Sequence, residues 1–179
     1  MYKIALIGNS QSGKTTTADF FKEFFEEKDI TEVVNLKFAD PMFEYLDCIG
    51  RGKVREFMQD LGDLTKKHYG EGIFIESLTR SDAVLCTNEP EDWQFPPICD
   101  VITIDDVRTK LEFDTVLALG YTTVYIDSSI VTRAKRSSEN GVGLNDAHNS
   151  ESEVSSLKDK SIYFFECGFV CFYGVLGAV

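Results

Sequence analysis

The stretch Gly8-Asn9-Ser10-Gln11-Ser12-Gly13-Lys14-Thr15 meets every fixed position of the pattern G-x-x-x-x-G-K-[ST]. Its flanks agree with it. Tyr2 to Ile7 reads as a buried strand, and Thr16 to Glu27 reads as a helix with Phe20, Phe21, Phe24 and Phe25 on one face. A strand, a glycine-containing loop and a helix, in that order, set a ring of backbone N–H groups at a helix N-terminus. Such a ring attracts anions before any side chain is counted. In that setting Lys14 reaches the β- and γ-phosphates of a nucleoside triphosphate, and the Thr15 hydroxyl ligates Mg²⁺. Gly8, Ser10, Gln11, Ser12, Gly13 and Thr16 supply the rest of the cradle. The expected cofactors are ATP and Mg²⁺.

Working outward, 179 residues suit one domain, with room for a five-stranded sheet and helices on both faces. The net charge of −12 argues against a general nucleic-acid binder, because no basic stripe is present to neutralise phosphates. A nucleotide must instead be held by a local group of cations. A phosphate loop beginning at Gly8 leaves no room for a signal peptide. The five cysteines, Cys48, Cys86, Cys99, Cys167 and Cys171, form no C-x-x-C pair, and only two histidines accompany them. Free thiols in a reducing cytoplasm are expected, without structural zinc. The apolar run Ile162 to Val179 is broken by Glu166 and three glycines, which suits a buried strand and turn better than a membrane span.

Strands and helices alternate along the rest of the chain. Glu32 to Phe38 reads as a second strand, and Asp40-Pro41 as the start of a helix. Lys53 to Lys67 reads as a helix whose apolar face carries Val54, Phe57, Met58, Leu61 and Leu64. A helix over Gly72 to Leu85 follows, then a surface loop from Asn88 to Pro97 with the only tryptophan, Trp93. Asp100 to Ile104 is a central strand, Lys110 to Leu119 a helix stopped by Gly120, and Thr122 to Ile126 a fourth strand. A polar flap covers residues 128–150, ahead of a short helix from Glu151 to Leu157 and a fifth strand from Ser161 to Phe165. The pattern is α/β: a five-stranded parallel sheet in a three-layer fold, with a small lid, as one domain over residues 1–179.

Among proteins with this loop, a guanine-nucleotide switch needs N-K-x-D, which does not occur here. A small phosphoryl-transfer kinase needs the loop, an acidic residue on the magnesium side and mobile arginines. Asp105-Asp106 closes a hydrophobic strand, where open α/β sheets bind ligands. Asp106 is assigned to the metal, directly or through water; a solvated acidic turn before the next helix is the plain alternative.

The run Val101 to Glu112, with Asp106-Val107-Arg108 and Glu112, resembles the strand–D-V-R-x-x-x-E signature of phage (T-even type) deoxynucleoside monophosphate kinases. That family lies within the P-loop nucleotide kinase superfamily and is also similar to one kind of phosphomevalonate kinase. Lys37-Phe38-Ala39-Asp40-Pro41 is similar to its F-A-D-P, and Arg55 to Gly62 to its R-x-x-x-Q-x-L-G. His148-Asn149-Ser150-Glu151 resembles its H-x-S-E. The chain departs from the family in Glu166-Cys167-Gly168, where N-x-G is usual, and in Lys66 and Lys67, where an arginine is usual. The resemblance implies phosphorylation of a deoxynucleoside monophosphate for DNA synthesis in a virus of bacteria. Both substrates are then small nucleotides, with neither nucleic acid nor membrane as partner, and monomer and homodimer both stay open. It places Arg55, Gln59, Asp40 and Arg108 at the acceptor, and Arg133 and Arg136 on the lid helix over the transferred phosphate. One such arginine is worth roughly 10³–10⁵ in rate. Each has a plainer account: helix capping for Asp40, a structural ion pair for Arg108, and solvated helix positions for Arg55, Gln59, Arg133 and Arg136.

Overall fold

Three apolar segments without a helical period, Tyr2–Ile7, Val101–Val107 and Thr122–Asp127, form β1, β3 and β4. The computed structural model describes residues 1–28, 30, 32–52, 54–86, 99–141, 149–161 and 163–166. With β2 (Val33–Leu36) and β5 (Tyr163–Glu166), these strands make one sheet in the order β2-β3-β1-β4-β5. Every neighbouring pair is parallel. β1 is central, pairing Ile4 with Thr103 of β3 on one side and with Thr122 of β4 on the other. Such near-continuous apolar runs belong to strands covered on both faces.

The period of two along each strand divides the core. Ala5 and Ile7, Ile102 and Ile104, and Tyr125 face one way. They pack under Phe74 and Leu78 of α4 (Ile73–Cys86), Phe113 and Val116 of α5 (Lys110–Ala118), and Val154 of α7 (Asn149–Ser156). Leu6, Val101, Val124 and Ile126 face the other way, against Ala18, Phe21 and Phe25 of α1 (Lys14–Glu26). The phenylalanine face expected of α1 is present: Phe21 and Phe25 are buried, and Phe20 and Phe24 pack at the margin. Between β2 and α4 run α2 (Asp40–Cys48) and α3 (Arg55–Tyr69). The helix α6 (Ile130–Glu139) follows β4.

Three expectations are revised. The helix α3 forms, but its apolar face is largely outside the core: Val54, Phe57 and Leu64 are exposed, and Met58 and Leu61 only half-buried. β2 ends at Leu36, leaving Lys37 and Phe38 in a turn. β3 does not stop at Ile104; it continues through Asp105, Asp106 and Val107. The surface loop at residues 88–97, His148, and everything after Glu166 lie outside the described residues. No described helix is long and apolar enough to cross a membrane. Cys48, Cys86 and Cys99 are free thiols.

At the end of the central strands opposite the phosphate loop, a polar cluster ties α4 to β1 and to the entry of β4. Lys3 Nζ donates to Asp82 Oδ2 (2.9 Å) and to the Leu119 carbonyl (3.1 Å), and Tyr121 Oη donates to Asp82 Oδ1 (2.6 Å). Burial and the adjacent Asp82 carboxylate push the Tyr121 hydroxyl well above its ordinary range. Asp82 thus satisfies two buried donors at once. Asp82→Ala is expected to destabilise the fold by about 3–5 kcal/mol, because it strands a nearly buried ammonium. Chemical denaturation measures this; a loss under about 1 kcal/mol would mean the cluster contributes no more than a surface pair.

Candidate active site

The phosphate loop owes its shape to two glycines and one residue held against its preference. Gly8 (φ +152°) leaves β1 so close to β4 that a Cβ there would stand 2.3 Å from the Ile126 carbonyl oxygen and 2.8 Å from Ser12 Oγ. Gly13 (φ 107°) turns the chain into α1 as its N-cap. Gln11 is left-handed at φ 61°, which costs a side-chain-bearing residue about 1–2 kcal/mol. The first turn of α1 carries no acidic residue and no side-chain cap, so its N–H groups face the loop as an anion site. Lys14 folds back, donating Nζ to the carbonyls of Gly8 (2.6 Å) and Asn9 (2.9 Å). Thr15 and Thr16 sit exposed on the same turn, and Ser10 is half-buried beside them.

What keeps Gln11 left-handed is α6. Arg136 Nη1 donates to the carbonyls of Gln11 (3.1 Å) and Ser12 (2.9 Å) and to Ser128 Oγ (3.2 Å). Asn140 Nδ2 donates to the Gln11 side chain at 3.1 Å. A loop whose N–H groups converge on an anion turns carbonyls outward, and Arg136 is the donor that meets them. This differs from the expected place of Arg136 over the transferred phosphate: here it grips the back of the loop. Arg133, three residues earlier, shares its inward face and is 7% exposed.

The carboxylates end β3 on opposite faces. Asp105 is turned to the loop: its Oδ2 accepts from Thr15 Oγ1 at 2.8 Å, and Lys37 Nζ lies 3.0 Å from its Oδ1. Asp106, assigned to the metal from sequence, is turned away. Its two oxygens accept from the backbone N–H groups of Phe38 and Ala39, both at 3.0 Å. The correction follows from the extra length of β3, since successive strand residues point to opposite faces. Burial pushes the Asp106 carboxyl up to about 7, against the pull of those two N–H bonds, with repulsion from Glu112 and Asp105 added. Hard oxygen donors at Thr15 and Asp105 suit Mg²⁺, which takes one or two carboxylates and completes its shell with phosphate and water. No cluster of three or more metal-binding side chains occurs among the described residues.

The expected acceptor residues divide. Asp40 is engaged locally, accepting from the Lys37 N–H at 2.8 Å; it is the first residue of α2 and not its cap, since Ala39 is the N-cap and no side chain caps this helix. Arg108 is exposed just past the end of β3, and no ion pair holds it among the described residues. Gln59 is half-buried on α3. Arg55 opens α3, with its side chain outside the described residues. Glu112 closes a capping box with Thr109 and accepts the Arg108 N–H (2.7 Å), fixing the backbone that carries Arg108. Lys37 was missed in the sequence, although it directly precedes F-A-D-P, because the hydrophobic run absorbed it into the second strand.

No family model matches this chain, and no curated protein matches it in sequence. Solved structures do. A gluconokinase from Sinorhizobium meliloti is similar with a TM-score of 0.53 and 12% identity, over 94% of this chain and 84% of its own. The APS kinase of Mycobacterium tuberculosis, solved with AMPPNP and APS, is similar with a TM-score of 0.55 and 11% identity, over 94% and 91%. At such identity the likeness is one of fold. The chain shares the α/β fold of these two kinases, a parallel sheet flanked by helices.

Two outcomes follow from this geometry. Gly8→Ala is expected to force the loop off β4, lowering stability by about 1–3 kcal/mol and weakening ATP binding. An unchanged unfolding midpoint with an unchanged Kd would show that the close approach is dispensable. Arg136→Ala is expected to raise the Kd for ATP by loosening the loop. Full affinity in that variant, measured by calorimetry, would return Arg136 to the transferred phosphate.

Proposed function

We propose that the protein transfers the γ-phosphoryl group of ATP to a deoxynucleoside monophosphate, forming a deoxynucleoside diphosphate for DNA synthesis. The observation that carries this reading is the meeting of Thr15 and Asp105 at 2.8 Å. It brings the carboxyl end of β3 to the start of α1 beside the phosphate loop. A fold neighbour solved with AMPPNP supports a nucleotide donor. The motifs Phe38-Ala39-Asp40-Pro41 and Asp106-Val107-Arg108 support the acceptor class.

In this reading the loop N–H groups from Gly8 to Thr16 and the Lys14 ammonium hold the β- and γ-phosphates of ATP. Thr15 and Asp105 hold Mg²⁺, which when bound neutralises and orients the donor phosphates. Arg108, with Arg55 and Gln59 on α3, holds the acceptor's phosphate and base. An acceptor phosphate oxygen forms the new P–O bond to the γ-phosphorus. The bond to the β–γ bridging oxygen breaks, and ADP leaves with the electron pair. The barrier falls through alignment and charge neutralisation, with little covalent work for side chains. Arg133 and Arg136 sit on the lid-side helix, Arg136 keeping the loop in shape and Arg133 facing the same interior. Asp40 and Asp106 position the turn at residues 37–39. The cell compartment is the cytoplasm, where ATP and deoxynucleotides are found.

A second reading has one observation in its favour. The gluconokinase neighbour acts on an acceptor of another kind, so the same fold with a different small acceptor, such as phosphomevalonate, stays in contention. The test is ADP release from Mg²⁺·ATP across ribo- and deoxyribonucleoside monophosphates and phosphomevalonate. Turnover with a deoxynucleotide, abolished in Lys14→Ala with the fold retained, is expected. Turnover with phosphomevalonate alone would transfer the assignment to that acceptor, and full activity of Lys14→Ala would remove the loop from the chemistry.

A further inference from the structure

Asp105 is a carboxylate with 2% of its side chain exposed, and it sits beside the phosphate loop. A buried charge of this kind must be compensated. Lys37 does so, with Nζ 3.0 Å from Oδ1 and 3.2 Å from Oδ2, the oxygen that also accepts from Thr15. The Lys37 ammonium thus occupies the very carboxylate that a divalent cation would need.

Its backbone, by contrast, is tied down by carboxylates. The N–H groups of residues 37, 38 and 39 are taken in succession by Asp40, Asp106 and Asp106, at 2.8, 3.0 and 3.0 Å. Three consecutive N–H groups bonded to carboxylates make a fixed mount, and a flexible four-carbon stem rises from it. The tip is the mobile part, with the Lys37 side chain 25% exposed at the rim of the site.

We propose that Lys37 is a further catalytic residue, an exchangeable cation: it neutralises Asp105 in the empty site, then moves to the transferring phosphoryl group once a divalent cation takes its place. Two cations on one carboxylate repel each other, so the ammonium leaves when the metal enters. The new anionic charge at the site is then the phosphoryl group, and Lys37 is tied to the loop side of the site through Asp105, which accepts from Thr15. The second half of this proposal rests on the phosphotransfer reading above. An ordinary structural ion pair would stabilise the fold and do nothing else.

Metal affinity separates the two, because it needs no turnover. Mn²⁺ is titrated into protein saturated with a non-hydrolysable ATP analogue, with free Mn²⁺ read by electron paramagnetic resonance. Lys37→Met, having lost the competing cation, is expected to bind Mn²⁺ about tenfold tighter than wild type, with Lys37→Arg near wild type. In the acceptor assay Lys37→Met is expected to lose about 10²–10³ in kcat with a smaller change in acceptor KM. Equal or weaker Mn²⁺ affinity in Lys37→Met would overturn the exchange, and an unchanged kcat would overturn the catalytic role. Should Lys37→Met fail to fold, Lys37→Gln carries the same expectations, since its amide still donates to Asp105 without a charge. Absence of turnover by wild type with every acceptor would sink the phosphotransfer reading and this second role with it, while the Mn²⁺ comparison still decides the exchange.

Discussion

The site depends on the way β3 ends. Because the strand runs through Asp105 and Asp106 instead of stopping before them, the pleat sends one carboxylate to the phosphate loop and the other to the turn after β2. Asp105 fixes Thr15, and so the start of α1. Asp106 fixes Phe38 and Ala39, and so the entry of α2. Two elements from distant parts of the chain are thereby indexed to a single strand end. Setting two carboxylates side by side at a largely buried strand end is unfavourable, and desolvation with repulsion from Glu112 and Asp105 pushes the Asp106 carboxyl up. Each is offset by donors that no water need supply: a hydroxyl and an ammonium for one, two backbone N–H groups for the other.

This interlock gives physical content to two runs of sequence that otherwise look independent. Phe38-Ala39-Asp40-Pro41 and Asp106-Val107-Arg108 are separated by about seventy residues, yet they form one hydrogen-bonded unit. Asp40 completes it by accepting from Lys37. That bond shapes the turn at residues 37–39 from the first position of α2, without capping the helix. Glu112 repeats the device on the next helix, taking the N–H groups of Arg108 and Thr109.

Local pattern revealed the phosphate loop, the alternation of strands and helices and the buried face of α1, because each is written in a few neighbouring residues. Other features depend on partners far along the chain. Nothing near Arg136 says that it will meet the carbonyls of Gln11 and Ser12, more than a hundred residues away. The apolar side of α3 shows the converse failure. Its periodicity is genuine, but the helix lies beside α2 and α4 over a narrow strip, and half of the stripe is left on the surface. The choice between Asp105 and Asp106 turned on three residues of strand length, and strand ends are where a hydrophobic run is least informative once it meets charge.

A chain of net charge −12 must still present positive potential to a polyphosphate, and the resting partners of its cations suggest how. Lys14 and Arg136 rest on backbone carbonyls. These carbonyls hold both side chains in place against the loop. Lys37 rests on a full carboxylate, and the pair is nearly neutral from outside. The site therefore holds two kinds of cation. On the proposed exchange, Lys37 contributes at the phosphoryl group only after its carboxylate has been claimed by a metal ion. That order suits a phosphotransferase, for which a strong cation at the acceptor side before the donor has bound would hold the acceptor in a site that cannot yet react.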